Sequence, residues 1–329
     1  MVNPPCSGRC EFIPWIASVF FALAAFVSHT GSVFAQASVP PRGFGSVSLS
    51  YQKNAHTGHI RANGTWSTVD GGHSVNHTLF LEGEYGITDR LAVSLGLPFV
   101  ASEYTDPNPP PPNFPFYSWD RCRCWNSGFQ DLNFIARYNF FGYPHSALAV
   151  TPFVSIGVPS NNYQFRGEAV VGRNLRELRF GTDATLRIDA ISENLYLQGR
   201  YSYAFVQRVL NIRNDRSNAK IEADYLLARK KMTLSAFVTG QRTHGGLLGR
   251  DITTPELQDQ LDRLLRDNNW RAGIGAGYSF QRMDVHADFT EVMGGSPTHL
   301  LRAVTFGVTF PFELRRRHES PQPVGIQSK

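Results

Sequence analysis

Strict alternation of apolar and polar residues runs through most of the chain from residue 43 onward. Residues 177–190 show it best, because Leu178, Phe180 and Leu186 fall on one face while the charged residues fall on the other. A side-chain period of two is the signature of a β-strand with one apolar face. The pattern therefore predicts strands whose two faces meet different environments.

Most of the predicted strands reach the roughly 9 to 11 residues that a tilted strand needs to cross a bilayer. They cover residues 43–53, 75–87, 89–100, 128–141, 147–158, 177–190, 194–207, 219–229, 232–242, 268–280, 283–292 and 300–312. Long and short connections alternate between them, which is typical of outer-membrane barrels with short periplasmic turns and long outer loops. The sequence predicts an all-β fold, a transmembrane antiparallel up-and-down β-barrel of about 12 strands.

Aromatic residues are expected at both edges of the apolar band of such a barrel. Here Tyr85, Phe140 and Phe280 fall at the short-turn ends of strands, and Phe99 and Trp270 fall at the long-loop ends. A soluble β-sandwich also has alternating strands, but it buries their apolar faces against a second sheet. The strand lengths and the loop asymmetry favour the barrel.

An apolar run at residues 12–27 follows Arg9 and precedes a small-residue stretch that ends at Ala37. This order is typical of a secretory signal peptide cleaved after Ala35 or Ala37. An uncleaved anchor is the alternative, but the run is interrupted by Pro14 and is shorter than the ~20 residues of a spanning helix. The predicted organisation is a signal peptide over 1–37, a barrel over 38–314 and a basic periplasmic tail over 315–329.

Composition excludes a bundle of membrane helices, because 42% of the residues are hydrophobic and the mean hydropathy is −0.25. The formal net charge is +5. The arginine-rich tail is too short for a nucleic-acid module, so no nucleic-acid partner is expected. We expect a monomer in the outer membrane, with outer-membrane lipid and small-molecule solutes as its partners.

Turn and strand motifs occur in the second quarter of the chain. Tyr-Gly-Ile-Thr-Asp-Arg at 85–90 leads into Leu-Gly-Leu-Pro at 95–98, and Gly128, Asp131 and Leu132 form a Gly-x-x-Asp-Leu segment. These motifs resemble the opening hairpins of a bacterial family, the MetA-pathway phenol-degradation transporters. The resemblance implies an outer-membrane protein that moves hydrophobic or aromatic compounds.

Charged residues on the inward face are the main candidates for function. Buried charges are costly unless they are paired or wet, so these residues either form a plug or line an aqueous path. Both outcomes are compatible with a barrel of this width. The predicted pore-lining residues are Glu82, Glu84, Arg137, Arg179, Asp183, Arg187, Arg200, Lys220, Glu222, Asp224, Arg271, Asp284, His286 and Asp288.

No catalytic, cofactor or metal site is predicted. A phospholipase barrel would need a histidine shortly before Ser-Asn-Gly on one strand face, and His286 has no such neighbour. Histidines 56, 59, 73 and 77 have spacings that can ligate zinc or copper. Because no acidic or thiolate residue accompanies them, we interpret the segment as an ordinary polar loop.

Two features of the long loops stay open at this level. Cys122 and Cys124 form a strained local disulfide, a soft-metal site or two free thiols in an oxidising compartment, and the disulfide is preferred. A leucine stripe ending at Leu264 and Leu265 predicts a short helix that rests on the barrel mouth or on neighbouring loops.

The sequence thus favours a channel or transporter for small hydrophobic or aromatic solutes, and not an enzyme. The alternative is a non-conducting, envelope-structural or surface-binding barrel that uses its long outer loops, particularly 101–127 and 243–267.

Overall fold

The computed structural model describes residues 38–68, 73–105, 125–142, 146–163, 171–251, 253–254, 256–257 and 260–314. The predicted signal peptide, the proline-rich segment with Cys122 and Cys124, and the basic tail lie outside these residues. No helix in the described part of the chain is long and apolar enough to cross a membrane.

Long antiparallel strands close into a 12-stranded barrel, which confirms the predicted fold, and two short strands accompany them in the described residues. The strands are β1 (Phe44–Ile60), β2 (Trp66–Thr68), β3 (His73–Gly86), β4 (Leu91–Thr105), β5 (Trp125–Phe129), β6 (Asp131–Tyr138), β7 (Leu148–Pro159), β8 (Glu177–Arg187), β9 (Leu195–Val206), β10 (Asn214–Leu227), β11 (Met232–Gly245), β12 (Asn269–Ser279), β13 (Asp284–Gly295) and β14 (Thr298–Glu313). Pairing of β14 with β1 closes the sheet. Closure removes the free edges whose backbone groups would be unsatisfied in lipid.

The strand ends differ from the prediction mainly on the long-loop side. β1 continues to Ile60 instead of residue 53, and β10 begins at Asn214 instead of residue 219. The predicted loop 293–299 contracts to a turn at residues 296–297 between β13 and β14. The ladder of backbone hydrogen bonds continues beyond the apolar band, where the sequence no longer alternates between apolar and polar residues.

The predicted strand over 128–141 is divided into β5 and β6. The interruption falls at Gln130, whose backbone N–H donates to the carbonyl oxygen of Pro98 at 2.8 Å. β5 and β6 both pair with β4, so the irregularity leaves the order of the barrel unchanged.

Large apolar side chains cover the outward face, including Ile221, Ile274 and Phe306, which are 56–64% exposed to solvent. Such a continuous apolar surface fits the lipid-facing band of a membrane barrel. Near the long-loop ends of β13 and β14, Arg302 and Glu291 face outward and form an ion pair at 2.7 Å. These charges mark the outer limit of the band.

The two rims differ in their connections, and in barrels of this kind the short turns are periplasmic. We therefore call the rim with the short turns, such as 228–231 and 280–283, the periplasmic rim and the opposite one the outer rim. Residues 38–43 lie inside the periplasmic rim, where Val39 is buried. A Cβ on Gly86 would collide with the backbone of Pro40 and Pro41, so glycine permits this close approach.

Candidate functional site

Aromatic rings lie against glycines on the inner wall of the barrel. A Cβ added to Gly181 or Gly273 would collide with the ring of Phe153 or Phe237, respectively, from the neighbouring strand. The absence of a side chain on each glycine lets the ring lie close to the wall. The predicted pore-lining residues were all charged or histidine and did not include these rings. The row of small residues in β12 was a sequence signal that could have indicated them.

The predicted pore-lining residues Asp183 and Arg200 form an ion pair between β8 and β9. The Arg200 guanidinium donates to both carboxylate oxygens, at 2.5 and 2.9 Å, and the Asp183 side chain is completely buried. The guanidinium carbon also lies 5.4 Å from the centre of the Phe153 ring, within cation–π range. These contacts hold a cation at the inner surface.

Other predicted inner residues also pair. Arg137 forms an ion pair with Glu84, and Arg179 forms one with Glu177. A second cation, Arg216, contacts the other oxygen of Glu177 at 2.6 Å. Arg216 was not predicted to line the pore because the predicted strand began three residues after it.

A cavity of about 810 Å³ occupies the periplasmic half of the lumen. Seven of the predicted pore-lining residues contribute to its wall, namely Glu84, Lys220, Glu222, Asp224, Asp284, His286 and Asp288. Lys220 and Glu222 form an ion pair at 2.6 Å within it. Pro40 and Pro41 line the same cavity from the segment before β1.

A smaller central cavity of about 280 Å³ lies further outward and is lined by Arg200, Lys220 and Arg271. No carboxylate is among its described lining residues. Arg271 donates to the side-chain oxygen of Asn269 at 3.1 Å and has no ion pair among the described residues. The Lys220 ammonium lies 4.8 Å from the centre of the Phe237 ring. This level of the lumen therefore combines three cations, of which Arg200 and Lys220 are ion-paired, with aromatic surface.

An outer cavity of about 820 Å³ lies under the long loops. Arg263 donates to the backbone carbonyl oxygens of Arg173 and Asn174, at 3.1 and 3.3 Å, and so joins two loops above the lumen. Its neighbour Leu264 is fully buried. Leu264, one member of the predicted leucine stripe, is therefore packed inside the protein.

Two further predicted pore-lining residues, Glu82 and Arg187, lie in different parts of the barrel. The Glu82 side chain is half-buried on the inner face of β3, near Arg137 and Arg200. Arg187 lies at the periplasmic end of β8, where it forms an exposed ion pair with Asp189 at 2.6 Å. The hydrogen bond from Arg187 lowers the pKa of Asp189.

The histidines predicted to belong to a polar loop lie on β1 and β3, and three of them separate into two groups. His77 faces outward, with its Nδ1 2.5 Å from the hydroxyl oxygen of Tyr51 and its ring centre 5.3 Å from that of Trp125. His56 and His59 instead meet His299, which the sequence analysis had not connected with them. His299 was missed because it lies 243 residues after His56.

Comparison of folds links this lumen to known membrane barrels. The COG4313 outer membrane channel from Pseudomonas putida F1 is 13% identical to this chain, with a TM-score of 0.65, and the alignment covers 86% of this chain and 100% of that one. The fold is that of an outer-membrane β-barrel. This agrees with the apolar outward face, and it confirms the predicted location in the outer membrane.

Two further structures match with lower TM-scores. The toluene transporter TodX of Pseudomonas putida has 10% identity and a TM-score of 0.42, with 86% of this chain and 95% of that chain covered. The beta domain of the Bordetella autotransporter BrkA has 9% identity and a TM-score of 0.48, with 82% and 100% covered. No protein-family model and no curated protein sequence matches this chain.

Proposed function

We propose that this protein is an outer-membrane channel for small solutes. The observation that carries the proposal is the series of three cavities along the inner face, from the periplasmic rim to the outer rim. Along β12 and the loop before it, the cavities are lined by residues 276–279, by Asn269 and Arg271, and by residues 265–267. Walls that carry positively and negatively charged side chains suit a water-filled path.

The residues that line the central cavity indicate which class of solute would fit there. Three cations line it and one of them, Arg271, has no ion pair among the described residues. The rings of Phe153 and Phe237 lie beside two of these cations. Positive charge next to aromatic surface suits a small solute with an aromatic ring and a negatively charged or electron-rich group.

Two similarities to other proteins support the same proposal. The Pseudomonas putida structure with the same fold is an outer membrane channel. The motifs at 85–90 and 95–98 resemble those of the MetA-pathway phenol-degradation transporters, which favours hydrophobic or aromatic solutes.

Planar-bilayer recordings of the purified chain test this function. We expect discrete conductance steps and a reversal potential in a KCl gradient that reports preference for the anion. Arg271→Gln should shift this preference toward cations, because it removes a cation from the central cavity. The matched control is Arg242→Gln, because Arg242 is exposed on the outward face of β11 and should leave selectivity unchanged.

A silent bilayer would contradict the channel if the barrel still showed the heat-dependent gel mobility of a folded protein. That result would favour the non-conducting alternative, in which the long outer loops bind a surface partner. Under that alternative, removing residues 246–268 should abolish binding and leave solute uptake unchanged. Under the channel proposal the same deletion alters uptake, because these residues line the outer cavity.

A further inference from the structure

Three histidines meet where the barrel closes between its first and last strands. His59 on β1 and His299 on β14 are direct partners in the strand register. The register shifts between His56 and Gly58, and this bulge brings His56 next to the same pair. The ring centres of His56 and His59 are 4.5 Å apart, and His299 lies 4.7 Å from each of them.

This histidine cluster, His56 with His59 and His299, lies beyond the apolar band. β1 has 17 residues, and about 11 tilted residues are enough to span the band, so the segment that starts at Phe44 has crossed it before His56. The outward-facing ion pair between Arg302 and Glu291 also indicates that the apolar band ends before His56, since Arg302 is opposite Ala55 in the register. His59 and His299 also line the outer cavity, where solutes and ions enter.

The ring nitrogens have a spacing that suits one shared metal ion. One nitrogen of each histidine lies within 4.8 Å of the corresponding nitrogens of the other two. Nδ1 of His299 is 3.2 Å from Nε2 of His56. Two imidazole nitrogens bound to one tetrahedral zinc ion, each at about 2.0 to 2.1 Å, are separated by about 3.3 Å. Two of the three ligands therefore already have the required separation.

Burial favours the neutral form of these imidazoles, which is the form that binds metals. Burial lowers the pKa of His56 to about 4, with further lowering by His299 and His59. Burial likewise lowers the pKa of His59 to about 4, followed by the effects of His299 and Arg61. Burial also lowers the pKa of His299.

Charged groups of both signs surround the cluster. The Asp267 carboxylate lies near His299 and accepts a hydrogen bond from the Thr298 hydroxyl at 2.7 Å. Arg173 and Arg61 act in the opposite direction on the histidines. One carboxylate beside two guanidinium groups does not attract cations strongly, so we expect micromolar affinity instead of the much tighter binding of structural zinc sites.

We propose that His56, His59 and His299 bind one divalent transition-metal ion of the Zn²⁺, Ni²⁺ or Cu²⁺ class and that this ion clamps β1 to β14. Imidazole suits these ions, whereas Ca²⁺ and Mg²⁺ select oxygen ligands. Three protein ligands leave a fourth position for water or for a solute group from the outer cavity. Binding through Nε2 of His56 requires this neutral ring to carry its proton on Nδ1, so the contact between Nε2 and the carbonyl oxygen of Gly58, 2.6 Å apart, is given up as a hydrogen bond.

Zinc titration of the purified chain by calorimetry tests the site. For this titration the chain is prepared without a histidine tag, and Cys122→Ser and Cys124→Ser remove the thiols that could bind zinc themselves. We expect one equivalent of Zn²⁺ to bind and to raise the melting temperature. The reason is that the three ligands are brought together only in the folded barrel and not in the unfolded chain. His299→Gln should weaken binding at least ~10-fold.

The matched control is His77→Gln. His77 lies on the same barrel face as Tyr51 and Trp125, away from the cluster, so its replacement should leave zinc affinity unchanged. His59→Gln provides a second test should the His299 variant fail to fold, as judged by heat-dependent gel mobility. Electron paramagnetic resonance of bound Cu²⁺ should show coupling to imidazole nitrogens, and this coupling should change in His59→Gln.

Three results would overturn the proposal. The first is the absence of saturable zinc binding by the folded chain. The second is a loss of affinity in His77→Gln equal to that in His299→Gln or His59→Gln. The third is a Cu²⁺ spectrum without nitrogen coupling, which would assign the ion to oxygen ligands elsewhere.

Discussion

Arg200 on β9 donates two hydrogen bonds to Asp183 on β8, from Nε to Oδ1 at 2.5 Å and from Nη2 to Oδ2 at 2.9 Å. Solvent does not reach the Asp183 side chain, whereas 41% of the Arg200 side chain is accessible. Replacement of the two partners should therefore differ in its effect, because the carboxylate is buried whereas water can solvate the guanidinium.

The asymmetry of this pair predicts two different stabilities. Arg200→Gln should lower the free energy of unfolding by about 3 kcal/mol, since it removes the guanidinium that donates two hydrogen bonds to this buried carboxylate. Asp183→Asn should cost less, because water can solvate the exposed part of Arg200. Urea unfolding of the barrel in lipid vesicles measures both values. Arg187→Gln is the control, since its ion pair with Asp189 is exposed and should change little.

Ile221 tests the lipid-facing surface. It lies in the middle of β10 and is 63% exposed on the outward face. Ile221→Arg should lower the free energy of unfolding by about 2 to 4 kcal/mol if the residue lies near the bilayer midplane. Leu210→Arg is the matched control, because Leu210 is 52% exposed but belongs to the outer loop before β10. A harmless Ile221→Arg would contradict a lipid-facing position.

The orientation of the barrel is tested by labelling single cysteines in a chain with Cys122→Ser and Cys124→Ser. Asn63→Cys and Arg250→Cys lie at the outer rim, so an impermeant thiol reagent should label them on whole cells. Ser192→Cys and Arg282→Cys lie in periplasmic turns and should react only after the outer membrane is permeabilised. Equal labelling of all four on whole cells would show that the assignment of the rims is wrong.

Arg263 tests whether packed loops narrow the outer mouth. Arg263→Ala removes the hydrogen bonds to the carbonyl oxygens of Arg173 and Asn174, so the two loops should separate more readily. If the protein conducts as proposed, single-channel recordings should show a larger conductance or more frequent transitions between levels. Arg208→Ala, at an exposed position of the outer loop before β10 that lines none of the three cavities, should behave like the original chain. Identical traces from both variants would exclude a gating role for Arg263.

The sequence by itself was sufficient for the strands and their two faces. Alternation such as that of residues 177–190 reports the environment of each side chain directly, because a strand turns successive residues to opposite sides. Loop lengths then indicated which strand ends share a rim. The structure confirms this level of organisation, and even the inner position of Asp183 and Arg200 followed from it.

Contacts between distant parts of the chain required the tertiary structure. The approach of His299 to His56 depends on closure of the barrel between β1 and β14 and on a bulge near Gly58. The hydrogen bonds from Arg263 to Arg173 and Asn174 depend on how two long loops pack over the lumen. A strand period specifies a face, whereas the register around a closed barrel and the packing of irregular loops decide which residues on that face meet.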